Sequence, residues 1–469
     1  MMHLKKVTLN SFRCFENLTL ALHPRLTVLV AENGGGKTAI LDGIAIGLAS
    51  VLRFLSSANQ RLSGPGIKDT DFRLKTVSGS RQGKRVVTSD VAQVILETTD
   101  GLVWDTWRAA VKGKHPEAKV GHGKLAVYGA ELLASLTSLT PKLLPVFAYY
   151  GARRGWIVIP ERLRGSKVDY DQPTAALFGA LDDLTDFREL VNWLYQEDAA
   201  EARANKGVGE AFEEFPALAA VRGAISALLG DTYTNPHFNR QHKLMIESRT
   251  GPTILQVAQL SQGYQSMLAL AMDFARRLAL ANSHLTVDAI LPIIETDKKY
   301  LPGDISSSSE MPPPQLFAPA IMLVDEIDLH LHPSWQQRVL GDLMRAFPCT
   351  QFIVTTHSPQ VLTTVQKDCI RILEMDNGEP TIRVPVHETY AQESRSTLED
   401  VLDTPSRPPL DMTRKLQTYL DLVEDGQEAI SEARQLREEL ERSLGAGDSQ
   451  LQLADMLIAR NTAQRKATA

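Results

Sequence analysis

The chain has 469 residues, 43% of them apolar, which is enough to bury two or three domain cores. Its formal charge is −6, from 50 basic and 56 acidic residues, which excludes a uniformly basic nucleic-acid-coating protein; contact with nucleic acid has to come from a local patch. The three cysteines, Cys14, Cys349 and Cys369, are far apart and form no C-x-x-C pair, so neither a disulfide framework nor a zinc site is expected.

The N-terminus runs straight into strand-like LKKVTLNSF without a secretory pattern. No apolar run reaches the roughly 18–20 residues of a membrane span, and a cytoplasmic protein is expected. Two short strands, KKVTLNSFRCF and ENLTLALHP, precede a buried strand, LTVLV, and a helix with apolar period, TAILDGIAIGLASVLRFL. Residues 56–85 read as polar connection with Gly and Pro breakers. The alternating stretch VTSDVAQVILETTDGLVWDTWRAAV predicts a hairpin turning at Asp100-Gly101. LLPVFAYYG (143–151) is a buried strand, 175–228 is mostly helical, HKLMIES and TILQVAQL read as strands, and a helix spans about Gly263 to Ala281. Residues 285–318, rich in Ser and Pro, predict a surface insertion without periodicity. AIMLVDE, SWQQRVLGDLMRAF, QFIVTTHS, PQVLTTV and IRILEM then alternate strand and helix, the mark of a parallel α/β sheet. From about 405 the chain reads helical to its end, with a charged amphipathic stretch, EAISEARQLREELERSL.

Four stretches carry chemistry. VLVAENGGGKTAIL (28–41) is a strand, a glycine turn and a helix start. It matches G-x-x-x-x-G-K-[ST] except that Ala31 replaces the first glycine. Backbone N–H groups around Asn33, Gly34, Gly35 and Gly36 can face phosphates at a helix N-terminus. Lys37 suits the β/γ-phosphates and Thr38 a Mg²⁺ ligand. Alanine at 31 is costly only if that position requires positive φ. In AIMLVDE, Asp325 at the end of an apolar strand would hold the Mg²⁺ and Glu326 would polarise an attacking water. LSQGYQSMLAL (260–270) opens an apolar helix with Ser261, Gly263 and Gln265, which makes a second anion cradle or a plain helix N-cap. FIVTTHS sets His357 at a strand's carboxyl end, where an imidazole can reach a γ-phosphate or stay structural.

In this order the four stretches resemble the ATP-binding-cassette (ABC-type) ATPase head, in its SMC/RecF-like branch, across about residues 3–65 and 140–376. LNSFRCFENLTL looks like the F-R-x-F entrance of such heads, where the resemblance sets Arg13 near the phosphates. It implies an α/β head of parallel or mixed sheet with flanking helices, an inserted helical lobe and a C-terminal helical extension. The implied divisions are a first ATPase part over 1–140, a helical insert over 141–259, signature helix, Walker B and His strand over 260–385, and a helical region for partner or oligomer contacts over 386–469. The cofactors implied are ATP and Mg²⁺, with Glu326, His357 and Lys37 catalytic. The signature segment of such heads meets the ATP of a second subunit, so a head-to-head dimer or higher oligomer is expected. The strand ending Tyr149-Tyr150-Gly151, with Arg153 and Arg154 following, lacks the glutamine of the family's lobe-linking loop. No sustained heptads separate Lys37 from Leu260, which argues against an SMC rod.

The overcoming-lysogenization-defect (OLD-like) nucleases of this branch append a carboxylate-rich nuclease domain; beyond residue 376 no strand here ends in such a cluster, so no nuclease of its own is expected. ETYAQESRSTLEDVLDTPSRP, PVFAYYGARRGW and DFRELVNWLYQED resemble the PtuA-like ATPases of Septu and retron antiphage systems. That likeness implies an HNH endonuclease partner and, in some members, a reverse transcriptase with its DNA–RNA product. A RecF-like DNA repair ATPase and a head that binds ATP as a structural clamp are the alternatives. Local basic stretches at 78–85 and 162–167, with Arg153, Arg154 and Arg164, read as DNA contacts or as solvated loops.

Overall fold

Alternation runs through most of the first two strands. β1 (Leu4–Phe12) and β2 (Phe15–Ala21) turn Val7, Leu9, Leu18 and Leu20 inward and leave Lys5, Glu16, Asn17 and Thr19 exposed. They pair antiparallel, Val7 opposite Leu20. The computed structural model describes residues 2–56, 60–79, 83–155, 170, 172–183, 187–206, 212–230, 232–249, 251, 253–297, 312–376 and 379–468. They form two compact units, Met1–Thr397 and Leu398–Ala469.

In the first unit, β3 (Leu26–Ala31) is buried along its whole length, as a central parallel strand requires. It leads into α1 (Lys37–Phe54). The 56–85 stretch, expected to be connection only, holds an antiparallel ribbon, β4 (Leu74–Gly79) and β5 (Gly83–Thr88), whose polar composition hid it. β6 (Val91–Thr98) and β7 (Val103–Ala109) form the expected hairpin, with Gly101 at φ +83° in its turn, and complete a four-stranded sheet in the order β2-β1-β6-β7. α1 packs against this sheet, where the indole of buried Trp104 donates to the Gly47 carbonyl at 2.8 Å.

After α2 (Gly123–Leu136), β8 (Val146–Tyr150) enters the main sheet, again wholly buried. The helical lobe follows with α3 (Phe187–Ala204) and α4 (Pro216–Leu229). A three-stranded sheet of β9 (Tyr233–Phe238), β10 (Leu244–Ser248) and β11 (Ile254–Gln256) comes next, then the long α5 (Gln262–Ala281). β9 carries Asn235 and Pro236 and so escaped the sequence reading. TILQVAQL yields only a short strand, because Val257–Gln259 close into a 3₁₀ turn.

The expected insertion at 285–318 is only partly irregular. α6 (Val287–Asp297) forms despite Pro292 because Ile290 and Ile293, three residues apart, are buried on one face. Leu316 and Phe317 are also fully buried, and 298–311 lie outside the described residues. β12 (Ala320–Val324) follows. The helix expected over 334–347 is two pieces, α7 (Pro333–Gln336) and α8 (Val339–Ala346), broken at Gln337-Arg338. β13 (Thr350–Thr355), α9 (Pro359–Leu362), β14 (Ile370–Asp376) and β15 (Glu379–Arg383) complete the alternation. The main sheet runs β15-β14-β3-β13-β12-β8, parallel except for β15.

The boundary between units falls past residue 385. Residues 386–397, with the start of α10 (Ser394–Asp400), stay with the head: Ala391 N–H donates to Thr363 O, Thr389 Oγ1 to Val365 O, and Lys367 N–H to Glu388. The second unit folds on its own core. Leu416, Tyr419 and Val423 of α11 (Asp411–Glu424), Ala433 and Leu440 of α12 (Ser431–Leu444), and Leu451 and Ala454 of α13 (Ser449–Thr468) are buried together.

Candidate active site

The three central strands of the main sheet end side by side, and the loops that leave them make the site. β3 ends at Ala31, which lies outside the left-handed region, so alanine fits there without strain. Gly34 (φ +81°) and Gly36 (φ +92°) take the left-handed conformations of the turn. Gly36 is also a close approach: a Cβ there would fall 2.4 Å from Phe15 Cζ and 2.8 Å from Cys14 Sγ. Asn33 and Gly34 are exposed at the loop, and α1 begins with its free N–H groups beside them.

Lys37 is buried, its ammonium donating to Ala31 O at 2.8 Å and to Glu32 O at 3.2 Å. Burial lowers its pKa, while the carboxylates of Asp325, Glu326 and Asp328 draw it back upward. Three acidic groups therefore face the position that the lysine charge serves. Thr38 Oγ1 donates to Asp325 Oδ2 at 2.9 Å, which ties the first turn of α1 to the end of β12. A hydroxyl and a carboxylate at this separation are the hard-oxygen donors Mg²⁺ takes next to nucleotide phosphates.

Asp325 is held from its other side as well. Thr355, the last residue of β13 and fully buried, donates its hydroxyl to Asp325 Oδ1 at 2.7 Å. The same hydroxyl accepts the Glu326 N–H at 2.7 Å. Glu326 sits half-buried in a left-handed conformation, φ +50°. Ile327 N–H then bonds the Thr355 carbonyl, and Asp328 accepts from Thr356 Oγ1 at 2.6 Å. His357 follows, exposed, at the turn into α9, where Ser358 Oγ accepts from Val361 N–H.

Arg13 (φ +50°) leaves β1 with its guanidinium paired to two carboxylates, Asp71 Oδ1 at 2.8 Å and Asp42 Oδ2 at 2.6 Å. Asp42, on α1, also accepts from Tyr149 at 2.8 Å. Sequence reasoning gave Arg13 to the phosphates and did not foresee these partners; its neighbours Cys14 and Phe15 back the phosphate loop at Gly36.

The signature segment is built differently. Ser261 starts α5 as an exposed residue whose side chain makes no cap hydrogen bond. A Cβ on buried Gly263 would fall 2.6 Å from the His330 carbonyl, so only glycine lets α5 lie against the turn after Glu326. Gln265 folds back to Leu260 O at 2.6 Å and Ala258 O at 3.2 Å. Tyr264 meets Tyr233 and Trp335 edge-on, with centroids 5.1 and 4.6 Å apart. Deeper in α5, buried Asp273 accepts from Tyr150 (2.9 Å), Arg276 (2.7 Å) and Arg277 (2.7 Å). Burial alone would push this carboxyl up, but Arg277 and Arg276 hold it below the ordinary range. Asp followed by Arg at three and four residues in an otherwise apolar helix was the signal available for this cluster.

The structure thus gathers Lys37, Thr38, Asp325 and Glu326, with His357 on the neighbouring strand end, and sets Ser261, Gly263 and Gln265 at the start of another helix. Of the basic residues read as DNA contacts, Arg153 is exposed just beyond β8; residues 162–167, part of 78–85 and the side chain of Arg154 lie outside the described residues. Among the described residues no helix is long and apolar enough to cross a membrane.

Residues 135–363 match a family described as "AAA domain, putative AbiEii toxin, Type IV TA system", and residues 6–207 match one described as "AAA domain". The chain is 27% identical to the retron Ec83 probable ATPase of Escherichia coli, covering 95% of this chain and 84% of that protein. It is 30% identical to the Septu protein PtuA of Bacillus thuringiensis over 24% of this chain and 30% of that one. An SMC head bound to the C-winged helix domain of ScpA overlaps at a TM-score of 0.39 and 16% identity, over 81% of this chain and 98% of that one, too loosely to place any residue. The motif order, the meeting of those motifs at one sheet edge and the retron relative identify the chain as an ATPase, similar to the retron Ec83 probable ATPase and to Septu protein PtuA.

Proposed function

We propose that this ATPase binds ATP with Mg²⁺, hydrolyses it between two copies of the head, and through that cycle controls an associated HNH endonuclease. The observation that carries the reading is the convergence of Lys37, Thr38, Asp325 and Glu326 where β3, β12 and β13 end.

The loop N–H groups and the α1 dipole favour the phosphates. Lys37 exchanges its carbonyl acceptors for β- and γ-phosphate oxygens. Thr38 and Asp325 would hold Mg²⁺, which neutralises charge developing on the phosphates. Glu326 accepts a hydrogen bond from the attacking water and orients it in line with the γ-phosphate. His357 stands at the next strand end to donate to a γ-phosphate oxygen. Catalysis is then positioning and charge rather than covalent chemistry. Ser261 and the N–H groups near Gly263 serve the nucleotide of the second copy. Exposure of Ser261, and its lack of a capping bond, support that role.

The names of the relatives, a retron ATPase and a Septu protein, support a place in a defence assembly. The helices of the second unit offer it a separate docking body. Co-expression with the neighbouring reading frames, followed by mass spectrometry of the purified complex, tests the partner. A stoichiometric HNH protein is expected; recovery of this chain alone with DNA-stimulated turnover would replace the reading with a repair-type one. Light scattering tests the dimer: Glu326→Gln with ATP and Mg²⁺ is expected to dimerise and Ser261→Arg to stay apart while binding nucleotide. A Glu326→Gln protein that never dimerises would overturn the head-to-head arrangement.

A further inference from the structure

We infer that Thr355 is a positioning residue for hydrolysis: its one hydroxyl, bonded at once to the Asp325 carboxylate and the Glu326 amide, sets the geometry of both acidic residues. The inference rests on the reading of Glu326 as the group that orients water.

The geometry is specific. Thr355 closes β13, and β13 lies between β3 and β12, so its last side chain reaches across to the end of the Walker B strand. Its Oγ1 donates to Asp325 Oδ1 at 2.7 Å and accepts from Glu326 N–H at 2.7 Å. The donor and acceptor capacities of one hydroxyl are both used on adjacent residues of one strand end. The other carboxylate oxygen, Oδ2, takes the Thr38 hydroxyl at 2.9 Å, so Asp325 is gripped from α1 and from β13.

Glu326 has the more demanding position. At φ +50° its backbone is left-handed, an uncommon conformation for a residue that carries a Cβ, and one its surroundings must hold. Its N–H bond to Thr355 Oγ1 and the following Ile327 N–H bond to Thr355 O form a two-point clamp from a single residue. Because the direction of the Cα–Cβ bond follows φ and ψ, the clamp aims the Glu326 side chain. Thr355 is fully buried and so reaches neither water nor nucleotide itself. It acts through Asp325 and Glu326. Thr356, the next residue, bonds Asp328 instead, so the clamp is not duplicated there.

The side chain offers a clean test, because valine keeps its shape and removes only the hydroxyl, and serine keeps the hydroxyl and removes only a methyl. The full chain carrying Thr355→Val, Thr355→Ser, Thr355→Ala or Glu326→Gln is assayed for steady-state ATP turnover and, separately, for affinity toward a fluorescent ATP analogue with Mg²⁺. Thr355→Val is expected to lower kcat about 10- to 100-fold, the usual effect of losing an outer-shell partner, with analogue affinity within about threefold of the unmodified chain. Thr355→Ser is expected to recover most of kcat. If the valine variant does not fold, Thr355→Ala against Thr355→Ser isolates the same hydroxyl on a smaller side chain. A kcat unchanged in Thr355→Val beside an inactive Glu326→Gln overturns the role of Thr355 and leaves the reading of Glu326 standing. Parallel loss of kcat and affinity, unrescued by serine, also overturns it, in favour of a merely structural residue. Full turnover by Glu326→Gln would remove the underlying reading and the inference with it.

Discussion

The phosphate loop and the signature segment are both helix N-termini, yet they are finished in opposite ways. Around the phosphate loop the acids and hydroxyls of the chain satisfy one another: Lys37 with two carbonyls, Asp325 with Thr38 and Thr355. At the signature segment Ser261 faces outward without a cap bond, and the polar neighbour that could crowd it, Gln265, is folded back onto Leu260 and Ala258. The first is a site assembled within one chain. The second is an exposed edge, backed at Gly263 by the His330 carbonyl, on a helix whose Asp273 further along is held by two arginines. The difference teaches that equal motifs in a sequence need not be equal sites.

The comparison can be strained experimentally. Glu326→Gln should have the largest effect, lowering kcat by about 10²- to 10⁴-fold with nucleotide affinity kept, read by steady-state turnover beside equilibrium binding. Asp273→Ala should destabilise the head by about 3–5 kcal/mol, since it leaves Arg276 and Arg277 buried without their shared carboxylate; denaturant unfolding measures it. A pH series sharpens the same point. The depressed Asp273 pKa means its stabilising contribution is whole above the ordinary aspartate value of about 4 and is lost as pH falls further, through the folded value. The Asp273→Ala protein should lack that part of the acid sensitivity. Lys37→Ala should weaken ATP binding about 10- to 100-fold, as expected for a lost charged hydrogen-bond donor, and calorimetry checks it. Gln265→Ala should be the mildest, about 0.5–1.5 kcal/mol of stability with turnover retained; a large loss of turnover there would erase the contrast between an ordering residue and a contacting one.

Much of this was legible in residues 26–41 and 320–357, where mostly apolar strands lead into G-K-T, D-E and T-T-H. Buried parallel strands leave so little freedom that the position of their last residue follows from the pattern. What could not be read was which polar groups would meet across the fold. Arg13 shows why: its motif points to phosphate, yet Asp42 and Asp71, 29 and 58 residues onward, take its guanidinium. Thr355 was equally hidden, since a threonine ending a strand has no local mark that its hydroxyl will face another strand's acids. α6 was missed because Pro292 and the Ser- and Pro-rich run after it outweighed Ile290 and Ile293 in the reading.

Tyr149 and Tyr150 end β8 with their hydroxyls on opposite faces, as neighbours on a strand must. One is bonded to Asp42 on the phosphate-loop helix, the other to Asp273 on the signature helix. The two networks are therefore anchored on adjacent residues, their Cα atoms joined by a single planar peptide unit. Between Asp273 of α5 and Asp42 of α1 there lie only two hydroxyl hydrogen bonds, two tyrosine side chains and that one peptide plane.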